Sequence, residues 1–155
     1  MNDEKTYDPT KATLADLPKP SPYPEGRYLW TVKDYEQGQW PSGDEFVEVT
    51  LAPVQGYALD QQDTTNCGWY EQKARFNCTR QGLYGLHKFV CLMRPEWKDV
   101  EAETLPPFTQ QIEAIIGQQV VGQLQHKPKG EGKEGFWTNF NQKGWESADG
   151  HTPPL

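Results

Sequence analysis

The stretch Ile112–Phe140, IEAIIGQQVVGQLQHKPKGEGKEGFWTNF, limits the choice of fold more than any other part of the chain. Ile112, Ile115 and Ile116 follow Phe108 at helical spacing, and Gly117 stands where a helix ends on a residue that tolerates positive φ. Gln119–His126 then reads as a strand in which Val120 and Leu124 alternate with Val121. A Lys/Gly/Pro loop carrying Lys127, Lys129 and Lys133 leads to a second strand, Phe136–Asn141, with two Phe on one face and Trp137 on the other. The passage describes a hairpin that holds positive charge beside aromatic rings.

Upstream, the dominant period is two. Arg27–Tyr35 sets Tyr28, Trp30 and Val32 against Leu29 and Thr31. Glu36–Asp44 is rich in turn residues and predicts a hairpin connection. Glu45–Pro53 places Val47, Val49 and Leu51 opposite Phe46, Glu48 and Thr50, and Pro53 is expected to stop it. Residues 54–68 read as a loop or a ragged hairpin end. In the third strand, Trp69–Thr79, one face carries Tyr70, Ala74, Phe76 and Cys78, and the other carries Trp69, Lys73, Arg75 and Asn77. Gln81–Met93 then has the helical spacing of Leu83, Leu86, Val90 and Met93, widened by Phe89, with His87 in or beside that face as a structural histidine.

The two ends differ from this. Residues 1–26 hold five prolines and few apolar positions, which predicts a disordered or loosely draped arm that ends at Gly26. Residues 146–155 are polar and predict a flexible tail. That leaves 27–145 as one domain, large enough to bury a core without metals or disulfides. Cys67, Cys78 and Cys91 lack the short spacing of a zinc knuckle, and together with His87 they read as buried thiols and a core histidine; no cofactor or metal is expected. With no apolar run of membrane length and no apolar leader, the expectation is a soluble intracellular protein.

The net charge of −7 argues against a nucleic-acid ligand only when it is spread evenly, and here it is not. Residues 64–95 hold five Lys/Arg and one carboxylate, whereas residues 1–63 hold five against twelve. Because salt screens fields over about 8 Å, a local basic patch attracts phosphates even on an acidic protein.

Strand, strand, strand, helix, short helix, strand, strand is the order of an oligonucleotide/oligosaccharide-binding (OB) barrel, so the predicted fold is mainly β: a five-stranded OB-like barrel with one or two short helices. Such a fold presents its second and third strands, and the loops joining strands one–two and four–five, to a ligand. Those loops carry Trp40 and the trio Lys127, Lys129 and Lys133; the third strand adds Trp69, Lys73 and Arg75, and the final hairpin adds Trp137. Cations for phosphates and flat rings for bases are what single-stranded DNA requires, each stacked base being worth roughly 1–3 kcal/mol. Catalytic signatures are missing: no GxxxxGK[ST], HExxH or GxSxG occurs, which points to a non-enzyme.

The segments PEGRYLWTVKDYE, FVEVTLAPVQG, IIGQQVVGQL and FWTNFNQKGW, in this order around a central helix, resemble phage-encoded single-stranded DNA-binding proteins of the small OB-fold type over roughly Tyr23–Trp145. The resemblance implies ligand contacts from the third strand and final hairpin. It further implies a role in phage DNA replication or recombination, in the cytoplasm of an infected bacterial host, with single-stranded DNA and replication or recombination proteins as partners, no membrane, and room for oligomers. The ending HTPPL departs from the acidic tail with a terminal aromatic that many such proteins use for recruitment. Two other classes fit parts of the sequence: an acidic protein-interaction module that binds a host or phage enzyme without nucleic acid, and a carbohydrate-binding β-domain, against which the lack of a leader counts.

Overall fold

The structure, a computed structural model, describes residues 6–17, 23–65, 67, 70–130, 132 and 136–151. Two strands dominate it: β1 (Gly26–Gln39) and β2 (Glu45–Ala58) form a long antiparallel hairpin. They are followed by β3 (Gln72–Asn77), α1 (Arg80–Met93), α2 (Phe108–Glu113), β4 (Gln119–Pro128), β5 (Phe136–Phe140) and a two-residue β6 (Glu146–Ser147). Single 3-10 turns occur at Leu14–Asp16, Pro95–Trp97 and Ala102–Thr104. One antiparallel sheet runs β3-β2-β1-β4-β5, with β6 added to β4. The mainly β class with two short helices therefore holds, with six strands in place of five. No ladder joins β3 to β5 among the described residues; Gln142 crosses that seam, its Nε2 donating to the Arg75 carbonyl at 3.1 Å.

Alternation does the local work. Val47, Val49 and Leu51 of β2 and Ala74 and Phe76 of β3 face inward as period two requires, against Leu86, Phe89 and Val90 of α1. Thr79 caps α1 by accepting a hydrogen bond from the Gly82 amide at 3.1 Å. Gly117 has φ +90° and ends the turn after α2, its amide donating to Val32 O at 2.8 Å. Ile112 and Ile115 are fully buried, while Ile116 points outward. A chain of rings crosses the core, Tyr28 to Trp30 to Phe140 to Trp145 to Phe89, each step 4.7–5.9 Å between centroids.

Several boundaries move. The turn-rich Glu36–Asp44 segment is strand as far as Gln39, because Glu36, Gln37, Gly38 and Gln39 all pair with β2; only Trp40–Asp44 turns. Pro53 does not stop β2. It opposes Trp30 beside a register shift, and the extra residues of that irregularity carry the strand on to Ala58. The first arm ends before Gly26, since Tyr23 is buried against Tyr28 and Trp30, and Glu25 accepts the His126 amide at 3.0 Å. At the other end, Glu146 and Ser147 pair with Val121 and Val120, and Ala148 completes a small second core with Leu29 and Val121. Glu146 and Ser147 are thus part of the sheet and Ala148 part of the core rather than tail; two β6 residues are too few for any periodicity to reveal. No described helix is long and apolar enough to cross a membrane.

Candidate nucleic-acid interface

Two groups of the expected site residues form. In the first, the outward faces of β1, β2 and β3 meet. Trp40, in the β1–β2 turn, packs against Phe46 with ring centroids 4.5 Å apart and planes tilted by 41°, and donates its indole N–H to Asn77 Oδ1 at 2.9 Å. The Arg75 guanidinium lies over both rings, 5.4 Å from Trp40 and 5.5 Å from Phe46. The parity expected for the third strand is correct: Lys73, Arg75 and Asn77 face outward.

The same face holds a residue whose role the sequence reading missed. Glu48 sits opposite Arg75 across β2–β3, accepts its Nε at 2.7 Å, and pairs with Lys73 Nζ at 3.1 Å. Only 8% exposed, Glu48 would have its carboxyl pushed up by burial, but the hydrogen bonds from Arg75 and then Lys73 outweigh that and hold it below its usual range. Glu36 is its partner on β1, and Asp34 stands opposite Thr50, which pairs in turn with Lys73. Two cations therefore share a face with three carboxylates, so the charge expected for phosphates is largely spent within the sheet. The clue lay in the clean alternation of β2, which put Glu48 on the same side as Lys73 and Arg75 once the strands paired.

The second group is on the β4–β5 hairpin. Lys127 pairs with Trp137 across the ladder, and Lys129 Nζ lies 4.7 Å from the centroid of the Trp137 ring. That ring is 59% exposed, which a core role would not permit. Trp69 and Lys133 lie outside the described residues.

The two groups lie at opposite ends of β1. Trp40 follows the C-terminal end of β1, whereas β4 runs antiparallel past Gly26 at the N-terminal end before it reaches Lys127. Antiparallel pairing sends the two hairpin tips to opposite ends of the same strand.

No protein-family model matches the chain, and no curated protein sequence does.

The cysteines divide. Cys91 is buried, Cys67 half-buried, and Cys78 exposed, contrary to its expected inward position, because β3 ends at Asn77 and its alternation ends with it. Cys91 Sγ lies 3.4 Å from His87 Nε2, and His87 Nδ1 lies 2.9 Å from Gln111 Oε1. Gln111 in turn donates to Pro106 O at 3.0 Å. This Cys-His-Gln series has the order of a nucleophile, base and orienting group, yet burial pushes the Cys91 thiol up, opposite to activation. Its visible effect is to tie α1 to α2, with His87 held as the structural histidine expected. The described residues contain no group of three or more His, Cys, Asp or Glu side chains placed to hold a metal ion.

Proposed function

We propose that this protein binds single-stranded DNA with little sequence preference, as a non-catalytic factor in phage DNA replication or recombination in the host cytoplasm. One observation carries the reading: an aromatic ring is paired with a cation in each of two places, the exposed Trp137 with Lys129 and the half-buried Trp40–Phe46 pair with Arg75. A ring offers a base its flat face whatever the base, and Lys129 beside Trp137 offers the phosphate a partner, whereas Arg75 is shared with Glu48. The sheet order, with α1 between β3 and β4 and the outer strands bridged by Gln142, supports an OB-like barrel as the framework.

The test is a titration of fluorescein-labelled oligo-dT at rising salt, with Trp fluorescence as a second readout. Micromolar or tighter binding that weakens steeply with salt is expected, since each phosphate contact releases counterions. K129A/W137A should weaken it tenfold or more, on the order of one lost stacked base. Absence of binding and of quenching at low salt overturns the reading.

Asp34 and Glu36, both exposed on the β1–β2 face, favour a second reading, a protein-interaction module whose acidic surface meets a basic enzyme. Its signature is a defined host or phage partner retained after nuclease treatment by a protein that ignores oligo-dT.

A further inference from the structure

A cleft of about 690 Å³ opens on the α1 side of the β3–β5 seam, within the size range of about 300–1,000 Å³ typical of ligand sites. Its charged lining residues are Arg75, Lys88 and Lys143, and no carboxylate lines it. Lys88 and Lys143 differ from Lys73 and Arg75 in one decisive respect. Glu48 neutralises the β3 cations, whereas no carboxylate of the described residues lies within ion-pair distance of Lys88 or Lys143. In a protein of net charge −7, uncompensated positive charge thus converges here rather than on the outward sheet face.

The cleft also offers rings. Tyr84 is 60% exposed with Arg80 5.9 Å from its centroid, and the half-buried Trp145 also lines the cleft, its indole N–H donating to Gln142 Oε1 at 3.1 Å. Arg75 belongs both to this cleft and to the Trp40–Phe46 pair, so the two surfaces adjoin.

Resting on the single-strand reading above, we propose that this cleft is a phosphodiester subsite that carries the strand from the Trp40–Arg75 group around the seam, with Lys88 and Lys143 on its phosphates and Tyr84 against a base. Exposed Cys78, between lining residues Asn77 and Thr79, gives a readout on the unaltered protein.

Two measurements decide it. The rate of Cys78 alkylation by N-ethylmaleimide, followed by peptide mass spectrometry, should fall severalfold when oligo-dT saturates the wild-type chain. For K88A/K143A, the slope of log affinity against log salt should be shallower by about 1.4, two phosphate contacts at about 0.7 each. Unchanged Cys78 reactivity in the saturated complex overturns the subsite, and so does an unchanged slope. Binding that K129A/W137A weakens and K88A/K143A leaves intact removes the subsite while keeping the single-strand function. A wild-type chain that binds no oligo-dT at low salt removes both. The alkylation measurement needs no variant, so a poorly folding double substitution leaves the question decidable.

Discussion

Glu48 is the residue that most changes what the outward sheet face can do. Its folded carboxyl titrates below the unfolded one, so its contribution to stability is complete above the usual carboxylate range of about pH 4.3 and is lost as pH falls through the depressed folded value. Thermal melts between pH 3 and 6 should show that loss, and E48Q should flatten it. At neutral pH, E48Q should cost about 1 kcal/mol, since both partners are half exposed and solvent screens them. The same change should tighten oligo-dT binding by releasing Lys73 and Arg75; weaker binding would mean that Glu48 positions them rather than competes for them. Two glycines of α1 make a second test at this scale. A Cβ at Gly82 would lie 2.1 Å from the Asn77 carbonyl, whereas one at Gly85 would meet nothing within 4 Å. G85A should therefore raise stability by about 0.5–1 kcal/mol through helix propensity, and G82A should lower the melting temperature despite the same gain.

Among the elements, those with a strong period were legible in the sequence and those defined by their partners were not. The inward faces of β2, β3 and α1 follow from alternation and helical spacing, and Gly117 marked its turn through backbone chemistry alone. The extension of β1 to Gln39, the passage of β2 beyond Pro53 and the existence of β6 are decided by pairing across the sheet, to which single-strand propensity is blind. The candidate site divides in the same way. Residue types and strand parity identified Trp40, Arg75, Lys129 and Trp137, but the carboxylate beside Arg75 and the cleft beneath α1 arise only when distant segments meet. β6 supplies the test at this scale. Truncation after Trp145 removes two ladder residues, buried Ala148 and the Glu146 partner of Arg27, the last at 3.3 Å. The melting temperature should drop by several degrees, as expected for a loss of 1–2 kcal/mol in a domain of this size, of order 2–8 °C for each kcal/mol. An unchanged melting curve would make 146–155 the dispensable tail that its composition suggests.

For the molecule as a whole, the proposed single-strand function together with the separation of the two ring–cation groups along β1 predicts binding that depends on ligand length. A short oligonucleotide should engage one group and a longer one should reach the other, the second contact being made at high effective concentration. Oligo-dT affinity should therefore rise with length and level off within about 4–16 nucleotides, the range for one OB fold, the framework proposed above. A flat length dependence would mean that one group acts alone. The pairing of β1 also has a consequence during synthesis. On the edge turned away from β2, its first half pairs with β4, with Gly26 opposite Leu124 and Trp30 opposite Val120. Until the ribosome has released that segment, Leu29 and Trp30 have no sheet neighbour on that side, and the emerging chain carries an apolar strand with an open edge. Folding should accordingly be slow and late, governed by a contact between distant parts of the sequence, and the nascent chain should be a better chaperone client than the finished protein.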